Sequence, residues 1–219
     1  NKIIVASTPR TGSMWTYNII REIIKLYKYK LVPEIIPQSD SDMMDIQKKN
    51  YKNLNIISVI KVHQLVKIEN LNNTKLIFNF RDPRDSLVSY LRFMKIDKYE
   101  LINKINFIKN IIRRIEYYRN SLNKDNYLEI NYKQITKKPE NIIDRIGIFL
   151  NLNIQKNQII KINNKYQKKK LKEQIKIKDK ELEFKKKNKK INKNEVVYLG
   201  KNNFRFFDKY TGFQSGHIS

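Results

Sequence analysis

The segment STPRTGSMW, residues 7–15, combines one glycine with several small hydroxyl residues between an apolar run and a long amphipathic stretch. If Gly12 lets the backbone turn tightly, the amides of residues 11–14 point into one space at a helix N-terminus, where the partial positive charge favours an anion. The pattern therefore predicts a phosphate site, although an ordinary capped turn would share it. The side chains that would complete the site are Arg10, Thr11 and Ser13.

This loop differs from the GxxxxGK[ST] loop that binds ATP and GTP. It lacks a second glycine and a lysine directly before the hydroxyl residue, so those nucleotides are disfavoured. A kinase with an atypical phosphate loop stays an alternative. Such a kinase would also need an acidic magnesium ligand at a strand end, and no residue of the sequence can be assigned to that role.

A second candidate anion site lies in FRDPRDSLVSY, residues 80–90. Arg81 follows an apolar run, and Ser89 lies two turns into the helix that should come next. The planar guanidinium fork is well suited to phosphate. In the alternative interpretation, Arg81 pairs with a nearby aspartate and Ser89 only packs.

A third segment, KVH, places Lys61 and His63 at the end of another apolar run. Histidine titrates near neutral pH, so His63 is a candidate for proton transfer. A lone histidine is more often structural than catalytic, but a position at the carboxyl end of a strand favours the functional interpretation.

Four short apolar runs rich in β-branched residues predict buried strands, and amphipathic stretches separate them. Strands that alternate with helices form right-handed crossovers, so we predict a three-layer α/β/α fold with a central, mainly parallel sheet. Ligands of such sheets bind beyond the carboxyl ends of the strands, where the three segments lie. The predicted strands cover residues 3–7, 55–61, 75–80 and 127–132.

The clearest helix start is at Asp82, a natural N-cap that is followed by Pro83 at the first helical position and by Asp85, which can reach back to the cap. The segment 32–45 contains two prolines and clustered Ser and Asp, so we predict a surface loop. Further helices are predicted over residues 15–27, 99–122 and 139–152.

The charge balance is strongly basic. The sequence contains 46 Lys plus Arg against 21 Asp plus Glu, a formal net charge of +25. Such a field attracts polyanions, so a basic nucleic-acid-binding module is an alternative, as is a Lys-rich composition without functional meaning. Lysine is densest over residues 165–195, which we predict to begin as a helix and to continue as a partly flexible, solvated segment.

The length and the residue types of the chain restrict its domain number, its location and its relation to a membrane. The 219 residues suffice for one domain, and we predict that residues 1–219 form one. The sequence contains no Cys, which fits a cytoplasmic location, and no apolar run approaches the roughly 18 residues of a membrane span. Because the chain opens at Asn1 without a Met and stops soon after an irregular segment, we expect a fragment of a longer protein.

Taken together and in this order, the three segments resemble the sulfotransferases that use 3′-phosphoadenosine 5′-phosphosulfate (PAPS). PRTGSMW is similar to the loop that grips the 5′-phosphosulfate, KVH to the segment with the catalytic histidine, and RDPRDSLVSY to the segment that holds the 3′-phosphate. A fourth stretch, NYKQITKKPENIIDRIGIFLNL, resembles the one that carries a base-contacting tyrosine, here Tyr132. The resemblance covers about residues 2–152 and implies a P-loop-like fold.

The resemblance implies in-line transfer of a sulfuryl group from PAPS to a hydroxyl or amine, which leaves adenosine 3′,5′-bisphosphate (PAP) and needs no metal. His63 would be the base, with Lys61 near the transferring group and Arg10 at the leaving phosphate. The acceptor would be a small molecule, a glycan or a lipid, and nucleic acid is not an expected partner. The implied nucleotide-binding residues are Arg10, Thr11, Gly12, Ser13, Met14, Trp15, Arg81, Ser89 and Tyr132.

Several positions depart from the family pattern. Arg10 replaces the lysine of the cytosolic branch, Met14 stands where a second hydroxyl is common, and Lys133 and Gln134 follow the tyrosine in place of acidic residues. The late R-x-G-x-x-G-x-W segment, which closes over the 3′-phosphate, has no match, and the final TGFQSGHIS resembles an approach to it. A fragment that keeps the fold without the activity is therefore a further alternative.

Overall fold

Five parallel strands form the central sheet of this chain in the computed structural model. The structure describes residues 2–214 except 50, 52, 54, 68–73, 95–104, 124, 189–194 and 199–203. The strands are β1 (Lys2–Ser7), β2 (Lys30–Val32), β3 (Ile56–Val62), β4 (Thr74–Phe80) and β5 (Tyr127–Asn131). Their order across the sheet is β2, β3, β1, β4, β5.

Helices connect these strands and continue after the last of them. They are α1 (Ser13–Leu26), α2 (Asp40–Lys48), α3 (Pro83–Met94), α4 (Ile105–Ser121), α5 (Tyr132–Lys137), α6 (Pro139–Phe149), α7 (Lys156–Lys165) and α8 (Lys168–Lys187). An antiparallel hairpin of β6 (Val196–Tyr198) and β7 (Phe204–Phe206) follows. Within the described ranges, no helix is long and apolar enough to cross a membrane.

The first strand lies at the centre of the sheet and of the core. Val5 is fully buried and lies opposite Lys61 of β3 on one side and Ile77 of β4 on the other. Helices cover a sheet of this kind, so its inner strands are mainly apolar on both faces instead of alternating. Because the three inner strands are parallel, their carboxyl ends meet at one edge. The residues singled out by sequence lie at this edge or in the loops and helices that follow it.

The predicted α/β class with a parallel sheet is confirmed, and the four predicted strands lie within one residue of β1, β3, β4 and β5 at each end. The loop predicted over 32–45 is wrong in its second half, because α2 begins at Asp40. The hydroxyl of Ser39 caps that helix by accepting a hydrogen bond from the amide of Asp42 at 3.1 Å. Residues 99–104 of the helix predicted over 99–122 lie outside the described residues, and 105–121 are helical.

The chain after β7 returns to the first helix. Asn18 of α1 donates from Nδ2 to the carbonyl of Thr211 at 2.7 Å, and the amide of Ile36 donates to the carbonyl of Lys209 at 2.7 Å. These bonds hold Phe213 and Gln214 beside the start of α1. The last described residues are therefore neighbours of the loop after β1.

Candidate active site

The loop between β1 and α1 has an unusual backbone. Arg10 and Gly12 adopt positive φ values of 65° and 81°, and Gly12 forms the N-cap of α1 without a side-chain cap. Thr11 braces the turn by donating from Oγ1 to the carbonyl of Thr8 at 2.8 Å. No acidic residue lies in the first turn of α1. The partial positive charge of the helix start is therefore not offset there, as an anion site requires.

Glycine is needed at position 12 for space as well as for φ. A Cβ atom built there would lie 3.0 Å from Cδ1 of Ile135 and 3.2 Å from Cδ2 of Tyr132. Helix α5 thus packs directly against the loop backbone. This contact places the ring of Tyr132 beside the turn.

Two guanidinium groups lie beside this turn. Arg10 donates from Nε to Oγ of Ser89 at 3.1 Å, and its Cζ lies 4.6 Å from the ring centre of Phe93. Arg81 lies over the ring of Tyr132, with its Cζ 4.4 Å from the ring centre. Burial, together with the charges of nearby arginines, lowers the pKa of Arg10. The two cations therefore repel each other in a partly desolvated space.

The alternative interpretation of Arg81, a pairing with aspartate, receives little support from the distances. Its Nε lies 3.7 Å from the carboxylate of Asp85, beyond hydrogen-bond range, and is buried without a hydrogen-bond partner among the described residues. Asp82, the other candidate partner, forms an ion pair with Arg84, whose Nη2 lies 2.9 Å from the carboxylate of Asp82. Arg81 thus keeps a buried donor for a further acceptor.

The KVH segment forms a short polar chain at the end of β3. Nζ of Lys61 lies 3.0 Å from Nε2 of His63, and Nδ1 of His63 lies 2.9 Å from Oγ of Ser7. Burial, followed by the charge of Lys61, lowers the pKa of His63 well below its usual value. The imidazole is therefore neutral at pH 7, as a general base must be. Arg114 of α4 donates to the backbone carbonyl of His63.

All of the residues that the sequence predicts for the site line one cavity of about 580 Å³. Its described lining contains four cationic side chains and no aspartate or glutamate. This volume is in the range of small-molecule pockets, and the excess of cations favours an anionic ligand. The predicted lining residues are Arg10, Thr11, Gly12, Ser13, Met14, Trp15, Lys61, His63, Arg81, Ser89 and Tyr132.

Other lining residues were not predicted from the sequence. Phe93 could have been found, because it lies four residues after Ser89 and thus shares its helix face. The residues from α7, α8 and the C-terminal segment reach the cavity only through tertiary packing, and no motif marks them. They include Asn163, Tyr166, Gln167, Lys168, Leu171, Phe213 and Gln214.

Arg205 of β7 is a further unpredicted neighbour of the site. Its Cζ lies 4.4 Å from the ring centre of Phe93, so the ring contacts two guanidinium groups, those of Arg10 and Arg205. Nη2 of Arg205 donates to the carbonyl of Phe93, while Nη1 is buried without a hydrogen-bond partner in the described part of the chain. The C-terminal hairpin therefore adds positive charge beside the cavity.

Fold and site together define an α/β protein whose first strand-to-helix loop is shaped for an anion. The family model described as "Sulfotransferase domain" matches residues 1–212. The chain therefore belongs to the sulfotransferase family. No curated protein has a sequence that matches it significantly.

Solved structures share this fold. A retinol dehydratase in complex with androsterone and the inactive cofactor PAP is 16% identical, with a TM-score of 0.57, over 77% of this chain and 65% of that chain. A mouse sulfotransferase complexed with PAP is 17% identical, with a TM-score of 0.59, over 78% of this chain and 66% of that chain. This chain thus spans slightly less than two thirds of their length. At such identities the likeness establishes the fold alone.

Proposed function

We propose that this protein is a PAPS-dependent sulfotransferase that transfers a sulfuryl group to a hydroxyl or amine of a small molecule. The observation that carries the proposal is the cavity at the carboxyl edge of the sheet, where four cations converge with no carboxylate in the described lining. Cationic side chains gathered beside a helix N-terminus favour an anionic ligand. PAP in the two solved structures of similar fold supports this choice of nucleotide.

The residues present fit a nucleotide that carries an anion at each end. The first turn of α1 and Arg10 suit a 5′-phosphosulfate, because backbone amides and a guanidinium group converge there. Arg81 and Ser89 suit a 3′-phosphate, and the buried Nε of Arg81 is a donor that such a group would satisfy. Trp15 and Tyr132 supply aromatic faces for the adenine between the two ends.

Each of these side chains has its own role in the in-line displacement of the phosphate from sulfur. When bound, PAPS supplies the sulfuryl group and a phosphate that leaves with both electrons of the broken S–O bond. Arg10 and the amides of the loop stabilise the charge on that phosphate. Neutral His63 takes the proton from the acceptor oxygen or nitrogen as the new bond to sulfur forms. The ammonium group of Lys61, 3.0 Å from Nε2 of His63, would neutralise charge at the transferring group.

The acceptor is proposed to be a small molecule. Tyr90 and Phe93 line the cavity on the same face of α3, and Met14 adds a flexible apolar contact. Such a wall suits an apolar body that carries one hydroxyl group. Androsterone in the retinol dehydratase structure is a ligand of this kind.

The proposal is tested by measuring transfer of labelled sulfate from PAPS to a panel of phenols, sterols, sugars and amines. The matched variants are His63→Gln, which removes the base, and Arg84→Ala, which removes an exposed arginine outside the cavity. Transfer that persists in Arg84→Ala and falls at least 100-fold in His63→Gln is the expected result, since general-base catalysis contributes about 10²–10⁴-fold. Equal transfer by both variants would contradict the role of His63.

A further inference from the structure

The proposed base belongs to a segment without regular secondary structure. Strand β3 ends at Val62, and residues 63–67 form neither helix nor strand. The backbone groups of such a segment are not paired within a helix or a sheet, so they need partners from other parts of the chain. The place of the His63 imidazole therefore depends on what holds the backbone that carries it.

Helix α4 holds this segment at two points. The guanidinium group of Arg114 donates to the backbone carbonyl of His63. The amide of Val66 donates to the hydroxyl of Tyr118 at 2.9 Å. Arg114 and Tyr118 are four residues apart, so both project from the same face of α4. One helix face thus pairs with a carbonyl and with an amide of the segment.

This helix face is anchored in the core of the protein. Tyr118 is 1% exposed, and its ring centre lies 4.8 Å from that of Phe78 on β4 and 6.5 Å from that of Tyr127 on β5. A large side chain packed in this way has little room to move. The backbone of Arg114, one turn earlier on the same helix, is therefore fixed relative to the sheet.

We infer that Arg114 is a positioning residue, which holds the backbone of His63 and places a positive charge near the imidazole. Arg114 is not among the described residues that line the cavity, so we expect it to act through His63 and not by contact with the substrates. The inference rests on the proposed function for its catalytic consequence. In the reaction, the acceptor proton moves to the imidazole while the hydrogen bond from Arg114 to the His63 carbonyl stays in place.

The charge of Arg114 favours the neutral imidazole. Burial has the largest effect on the pKa of His63, which it lowers, and a hydrogen bond with the backbone of Ser7 opposes this effect. Three cations lower the pKa of His63 further, namely Lys61 on β3, Arg114 on α4 and Arg10 in the first loop. Removing the charge of Arg114 should therefore make His63 easier to protonate.

The direct test follows the histidine ring signals of the full chain by ¹H–¹⁵N NMR as the pH is lowered. The sequence contains one other histidine, His217, and the signals lost in His63→Gln identify those of His63. The matched control for Arg114→Gln is Arg113→Gln, which removes the neighbouring, exposed arginine of α4. We expect protonation of His63 to begin at a higher pH in Arg114→Gln than in Arg113→Gln. Arg114→Lys, which keeps the charge, should titrate like the wild type.

The same variants are compared in sulfuryl transfer at pH 8, where His63 is neutral in each of them. Arg114→Gln should lower kcat by about 10–100-fold, because a displacement of about 1 Å can cost about 100-fold in rate. Arg113→Gln should keep the kcat of the wild type. Arg114→Lys should recover most of kcat, since an ammonium group can also donate to the carbonyl of His63. Arg114→Met, which keeps a long side chain without the charge, replaces the glutamine variant if that variant does not fold.

Two results would overturn the inference. One is that His63 is protonated over the same pH range in Arg114→Gln and Arg113→Gln, or stays neutral in both down to the pH of unfolding. The other is that Arg114→Gln has the same kcat at pH 8 as Arg113→Gln. The proposed function fails separately, when His63→Gln retains the transfer activity of the wild type. The NMR titration does not depend on activity, so the two failures are distinguishable.

Discussion

Replacing Gly12 with alanine tests the backbone of the proposed anion-binding turn. At φ 81° an L side chain is strained, at a cost of about 1–2 kcal/mol. The new Cβ would lie 3.0 Å from Ile135 and 3.2 Å from Tyr132, so both must shift by a few tenths of an ångström. Such overpacking adds about 1–3 kcal/mol, for a predicted loss of roughly 2–5 kcal/mol in the free energy of unfolding.

Urea unfolding followed by circular dichroism measures this loss. With a slope of about 2–3 kcal/mol per molar urea, the midpoint should fall by about 1–2 M. Gly12→Asn is the matched control, because asparagine tolerates the left-handed region but carries the same Cβ. It should be less destabilised than Gly12→Ala by the difference in backbone strain.

The variant should also weaken nucleotide binding, because the shift of Tyr132 disturbs the wall of the cavity. A midpoint for Gly12→Ala equal to that of the wild type, at an unchanged slope, would refute the reasoning. It would mean that neither the positive φ nor the contact with α5 constrains this position.

Three further predictions concern the pH dependence of activity, the pH dependence of stability, and a buried amide. Because the pKa of His63 is depressed, kcat/KM should stay constant as pH falls to about 6.5 and should decline only below that pH. A loss of half of kcat/KM at a pH above 6.5 would contradict this prediction. The unfolded chain binds a proton at His63 more tightly than the folded chain does. The free energy of unfolding should therefore decrease as pH falls below about 6.5, and it should decrease less steeply in His63→Gln. Asn79→Ala removes the 2.8 Å hydrogen bond that Nδ2 of Asn79 donates to Oγ1 of Thr16, a buried acceptor. The free energy of unfolding should fall by about 1–3 kcal/mol, and an unchanged urea midpoint would contradict this prediction.

The carboxyl edge of the sheet could be predicted from sequence because it depends on local patterns. Arg10 and Ser89 are 79 residues apart, yet both follow apolar runs that end in loops, and parallel strands bring such loops to one edge. Motif order then sufficed to group the cavity residues. Their distances could not be predicted, since these depend on β1 lying between β3 and β4.

Other parts had no local signal. Lys168 and Tyr166 line the cavity through tertiary packing, in which α7 contacts α6 and α8 contacts β7. A Lys-rich sequence alone indicates only a solvated surface. The contact of Arg205 with Phe93 depends on the position of a short hairpin. Helix α2 was missed because the prolines before it suggested a loop over the whole of 32–45, although Ser39 is an ordinary cap.

The central claim is that the cavity binds a nucleotide with an anion at each end. Calorimetric titration at moderate salt, with PAP beside adenosine 5′-monophosphate, tests it most directly on the wild type, Arg81→Ala and Arg84→Ala. We predict a clear preference for PAP that Arg84→Ala retains and Arg81→Ala abolishes. A charged hydrogen bond contributes about 1.5–3 kcal/mol, so Arg81→Ala should lose about 10–100-fold in affinity for PAP. Equal, weak and salt-sensitive binding of both nucleotides by the wild type would contradict the account.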